Sequence, residues 1–99
     1  MKTINMLIDG ARVAGEGTLP VYHKATGEQI AAIATAGETQ VRAAVDAAER
    51  AFHEVELSPY ERYEILMRAA NLMRERREEF AAALSAEAGK PIRVLLHAL

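Results

Sequence analysis

A chain of 99 residues is one small domain or a piece of a larger one, and folded alone it would bury only roughly 60–65% of its unfolded surface. Hydrophobic residues make up 51% of it, but 20 residues are Ala, Trp is absent and there are only two Phe and three Tyr, so the core it can build by itself is thin. The net charge of −2 lacks the basic footprint of phosphate-backbone binding, so no nucleic-acid partner is expected, and no apolar run approaches the ~20 residues of a membrane helix.

Met1-Lys2 is followed by Thr3 to Asp9, too short and too polar a stretch for a signal peptide. The absence of Cys excludes disulfides and thiolate metal sites, and the expected setting is cytoplasmic. Strand character starts at residue 6. Leu7-Ile8-Asp9-Gly10-Ala11-Arg12-Val13 sets Asp-Gly between two short apolar runs, and both residues tolerate the positive φ of a type I′ hairpin turn. Ala14 to Gly17 reads as loop, and Thr18 to Tyr22 as a strand. Ala25-Thr26-Gly27-Glu28 is a turn with Gly27 left-handed, and Gln29 to Ala34 the strand that follows.

Residues 38–55 read as the first helix, with Val41, Ala44, Val45, Ala48, Phe52 and Val55 as one apolar stripe. Its start has two solutions: a capping box over Thr35 to Glu38, or Gly37 as the cap. The second helix begins with Ser58 as N-cap, Pro59 in the first helical position and Glu61 placed to reach back to the cap amide. Its stripe is Ile65, Leu66, Ala69, Leu72, Met73, Arg76, Phe80, Ala83 and Leu84, which predicts that Leu72 is buried. Arg76 stands where the stripe wants an apolar group, so a kink or short break is expected near Glu75–Arg77. Glu64 and Arg68 have the spacing of a surface ion pair. Gly89 supplies a left-handed C-terminal residue and Pro91 stops the helix.

The last residues, Val94 to Leu99, hold four large aliphatics with no balancing polar face. They are expected to be an exposed patch seeking a partner, and with the face of residues 65–84 they predict a homo-oligomer. The fold class is therefore α+β: short N-terminal hairpin and strands, then two amphipathic helices, the second long. Residues 1–34 form a β-rich arm, 35–91 a two-helix segment and 92–99 an apolar tail, without a complete catalytic domain.

No constellation carries chemistry. His23, His53 and His97 share no ligand spacing, so no metal site is assigned. Glu78 and Glu79 are adjacent and diverge on a helix, a solvated face rather than an acid–base pair; the basic run Arg74 to Arg77 beside them reads the same way. Ser58 is explained by capping, and Ser85 has no His in pattern. The glycines are scattered turn residues with no Gly-x-Gly-x-x-Gly after a strand, and Met6, Met67 and Met73 read as core filler. No catalytic, cofactor-binding or metal-ligating residue is assigned.

Taken in order, five pieces resemble the amino-terminal segment of the aldehyde dehydrogenases. They are Leu7 to Gly10 with Val13; Ala25 to Glu28 with Ile30; Val41 to Ala48 with Ala51-Phe52; Tyr60-Glu61-Arg62 through Glu75-Arg76; and Glu87-Ala88-Gly89-Lys90-Pro91. His23-Lys24 stands where that family usually has Asn-Pro. The resemblance implies a piece of the cofactor-binding domain of an enzyme that oxidises an aldehyde to an acid with NAD or NADP. It implies a Cys nucleophile, a Glu that activates water and an Asn that holds the oxyanion, all downstream of the matched region. It also implies, in some members, a monovalent cation on backbone carbonyls that correspond to Val21 and Tyr22, with its companion carboxylate beyond Leu99; that site is treated as absent here. The chain alone is expected to be inactive, with the rest of the dehydrogenase or further copies of itself as partner. The rival reading is a free-standing, non-enzymatic helical module that self-associates.

Overall fold

The computed structural model describes residues 2–98; Met1 and Leu99, the ends of the predicted arm and tail, lie outside the described residues. The chain divides into two units: the residues up to Tyr22 together with Gln29–Glu56, and His23–Glu28 together with the chain from Leu57 onward.

The first unit holds five strands and a helix. β2 (Met6–Ile8) and β3 (Ala11–Val13) form the antiparallel hairpin, with Met6 opposite Val13 and Ile8 opposite Ala11. Asp9 and Gly10 turn the corner at φ 52° and 77°, the two left-handed residues a type I′ turn requires. β4 (Gly17–Tyr22) and β5 (Gln29–Thr35) are antiparallel, and Gly17, expected in the loop, is already paired with Thr35. β1 (Lys2–Ile4) lies parallel to β5, giving the order β1-β5-β4. Pro20 sits in β4, an edge strand, where its missing N–H costs no ladder bond. Ala31 and Ala32 on the central strand are the buried residues of this unit.

α1 (Glu38–Glu54) starts at Gly37, which decides the cap: the Gly37 amide donates to Gln40 Oε1 at 2.8 Å. Two glycines here lie in close approach to a neighbour. A Cβ on Gly37 would run into the Glu16 carboxyl group, and one on Gly15 into the Thr35 backbone. The Glu16 carboxylate thus lies against the N-terminus of α1, where the helix dipole favours an anion. α1 touches β2, and Arg50 bonds Asp9 at 2.5 Å. That bond and the Asp9 charge hold the Arg50 guanidinium above its ordinary pKa.

The second unit holds α2 (Pro59–Glu75), α3 (Arg77–Ala88) and α4 (Ile92–Ala98). Ser58 Oγ accepts from the Glu61 amide at 3.1 Å, half of the expected box; a return bond from Glu61 is not among the hydrogen bonds of the described residues. The break falls at Arg76, with φ −102° and ψ 23°. Its guanidinium donates to both Glu79 oxygens at 2.9 and 2.6 Å and lies 5.6 Å from the Phe80 ring centroid, and Glu79 raises its pKa. Gly89 ends α3 at φ 76°, and Ser85 Oγ donates to the Lys90 carbonyl at 2.7 Å across the stop.

The tail corrects an expectation. It is a helix packed on α3, because Leu95 finds a place there: Leu95 is 8% exposed and Ala81 is fully covered, while Val94 stays open. The predicted Glu64–Arg68 pair is not among the ion pairs of the described residues; both are exposed, where water competes well.

The turn Ala25–Glu28 is tied to this unit through Lys24, whose amide donates to the Ala86 carbonyl at 3.1 Å. His23 organises the turn. Its Nδ1 accepts from the Ala25 and Thr26 amides at 3.2 and 3.3 Å, and its carbonyl accepts from Gly27 at 2.8 Å.

Candidate functional site

Both helical stripes read from the sequence are present, but neither faces a core. On α1, Val41, Val45 and Phe52 are exposed, Phe52 by 84%, and the half-covered Ala47 lies on another side of the helix. On α2 no residue is buried: Leu66 is 68% and Leu72 55% exposed, and Met67 and Met73 are surface residues rather than core filler. The stripes were correct as faces and wrong as to what covers them. Among the described residues neither stripe is covered.

At about 100° per residue, the apolar side chains of α2 fall into two groups. Ile65, Leu66, Ala69, Leu72 and Met73 span an arc of about 120°, interrupted by Arg62. Tyr60, Tyr63, Met67 and Ala70 span a second arc of about 80°, interrupted by Arg74. Tyr60 and Tyr63 stack there at 6.1 Å between centroids. The remaining wedge carries Glu61, Glu64, Arg68, Asn71 and Glu75. An ordinary surface helix needs one apolar stripe; this one has apolar groups on every side but that wedge. The second group was missed in the sequence, although Tyr60, Tyr63, Met67 and Ala70 recur at helical spacing.

The surface area agrees. The accessible surface is 7886 Å² for 10.8 kDa, whereas two separate compact domains of half that mass would together expose about 6,700 Å².

The chemistry-bearing residues do not converge. His23 serves the turn, His53 meets Phe52 edge-on at 5.4 Å, and His97 is on α4. Among the described residues no three His, Asp or Glu side chains are grouped to hold a metal. The β4 ladder shifts register between Val21 and Tyr22, the two residues whose carbonyls the resemblance relates to a cation. Glu79 is engaged by Arg76 and Ser85 by the Lys90 carbonyl. Where β5 leads into α1, the Glu16 carboxylate lies at the helix N-terminus, where the dipole favours an anion.

Comparison with known proteins accounts for the uncovered faces. The family model described as "Aldehyde dehydrogenase family" matches residues 12–98. The chain is 39% identical over 93 residues to 3-sulfolactaldehyde dehydrogenase of Priestia aryabhattai, covering 94% of this chain and 19% of that protein. It is 36% identical to the mitochondrial succinate-semialdehyde dehydrogenase of Rattus norvegicus, over 87% of this chain and 17% of the relative. Among solved structures, an aldehyde dehydrogenase from Bacillus cereus (G224D mutant) superposes with a TM-score of 0.89 at 34% identity, over 96% of this chain and 20% of that one. The NAD-dependent aldehyde dehydrogenase of Sinorhizobium meliloti gives 0.86 at 33% identity, with the same coverage. The chain thus spans about a fifth of the length of the relatives it matches. Strands, helices and uncovered faces are those of a partial domain, and the chain belongs to the aldehyde dehydrogenase family.

Proposed function

We propose that this chain is the amino-terminal structural segment of an NAD(P)-dependent aldehyde dehydrogenase that oxidises an aldehyde to a carboxylic acid in the cytoplasm. Its role is to pack against the rest of the enzyme. On this reading the nucleophile, the general base and the dinucleotide site lie outside this chain, which spans about a fifth of the relatives' length. The observation that carries this reading is the exposure of both faces of α2 in a chain that matches dehydrogenases over nearly its whole length. That the relative from Sinorhizobium meliloti is NAD-dependent supports a nicotinamide cofactor for the complete enzyme.

The test is a chimera. This chain replaces the matched segment of the Bacillus cereus dehydrogenase, in one polypeptide. Aldehyde-dependent NAD(P)H formation is expected from the chimera and none from the 99-residue chain alone. A chimera that folds but is inactive would overturn the reading, as would turnover by the purified chain.

Self-association of the chain, as a helical module without enzymatic activity, is the second reading. The exposure of Val94 and of both α2 faces favours it. The burial of Leu95 weighs against the tail as its contact.

A further inference from the structure

We propose that Asp9-Gly10, at the tip of the β2–β3 hairpin, is a site of spontaneous covalent modification, the conversion of Asp9 to isoaspartate, and that Arg50 of α1 restrains it. Three observations meet at this turn. A Cβ placed on Gly10 would meet nothing within 4 Å, so the approach to its nitrogen is open. Gly10 lies outside both strands, and its amide makes none of the turn and loop hydrogen bonds of the described residues. The Asp9 side chain is 63% exposed, and its ion pair is with Arg50, 41 residues on in the chain.

The reaction needs only water. The Gly10 nitrogen adds to Cγ of Asp9. A C–N bond forms as a Cγ–O bond breaks, and the hydroxyl of the protonated carboxyl leaves with the amide proton as water. The five-membered imide then takes water back. Opening at Cγ restores Asp. Opening at the main-chain carbonyl carbon gives isoaspartate: the chain now runs through Cβ and Cγ, and the former carbonyl carbon carries a free carboxylate. Nothing is oxidised or reduced, and the mass is unchanged. Arg50 opposes the first step, because its guanidinium on Oδ2 at 2.5 Å competes with the proton that the leaving oxygen requires. The product has an extra main-chain atom that a two-residue turn cannot hold, so the Ile8–Ala11 and Met6–Val13 pairings are lost with it. The chain's other Asp is an internal reference: Asp46 precedes Ala47 inside α1, where helical dihedrals and the hydrogen-bond ladder fix the backbone.

The experiment holds the full chain in mildly acidic buffer and digests it with trypsin, which releases Asp9 in residues 3–12 and Asp46 in a different peptide. Isoaspartate is read as a second chromatographic peak of unchanged mass that an isoaspartate-specific methyltransferase labels. Conversion at Asp9 should outrun that at Asp46 by at least about tenfold, since the helix withholds the Ala47 amide. Arg50→Leu should speed conversion at Asp9 about twofold to fivefold, the range that an exposed ion pair supplies. Arg42→Leu, on the same helix but paired with Glu38, should leave it unchanged. In denaturant the parent chain and Arg50→Leu should convert at one rate, because the contact exists only in the fold. If Arg50→Leu loses helical circular dichroism, Arg50→Gln, of similar helix propensity, takes its place. Equal conversion at Asp9 and Asp46 would overturn the site. An Arg50 variant no faster than the parent, an equal acceleration by Arg42→Leu, or a difference that persists in denaturant would overturn the restraint.

Discussion

The residue scale shows where turn chemistry was legible. Asp9-Gly10, Gly27 and Gly89 announce left-handed backbone from sequence, and the structure places all four at positive φ. Gly15 and Gly37 do not announce themselves, because their need is a distant neighbour rather than a dihedral angle. Gly15→Ala should destabilise the first unit by about 1–3 kcal/mol, since the Thr35 backbone cannot step aside. Gly37→Ala should cost less, because the Glu16 side chain can swing away. Thermal circular dichroism of the pair checks that order. His23 was equally silent. As an acceptor for two amides it fills the turn where relatives of this sequence pattern were expected to carry Asn. His23→Asn should preserve slow amide exchange at Ala25 and Thr26, and His23→Leu should abolish it.

At the scale of elements, the helices were readable because their signals are local. Ser58, Pro59, the misplaced Arg76 and Gly89 mark the ends of α2 and α3 within one residue of where they fall. β1 was not readable: Thr3-Ile4 is too short a run, and its partner β5 lies 29 residues on in the parallel register. Burial was unreadable for a different reason. A stripe says which face is apolar and not whether its cover is on the same chain. Ser58→Ala should cost about 1 kcal/mol of α2 stability through the lost bond to the Glu61 amide. Leu72→Ala, which a buried stripe would price at ~2–4 kcal/mol, should stay within about 0.5 kcal/mol in the free chain. Leu95→Ala should exceed it, at about 2–3 kcal/mol, because Leu95 is covered. Chemical denaturation of the three variants ranks them, and equal losses for Leu72 and Leu95 would show that α2 is covered in solution.

For the whole molecule, the covered hydrophobics among the described residues are three alanines and one leucine. So little burial leaves little to oppose chain entropy. The urea m-value of the free chain should therefore fall below that of a compact domain of equal length, and a dye for exposed apolar surface should bind without denaturant. One feature of the sheet bears on how such a chain fails. With Pro20 on the β4 edge, a stray strand adding there meets a missing donor, whereas the β1 edge carries no proline. Amyloid-like strand addition is therefore expected to favour the β1 side of the sheet over the β4 side. Pro20→Thr should open the second side and shorten the lag of thioflavin-positive aggregation, while helical content stays as it was.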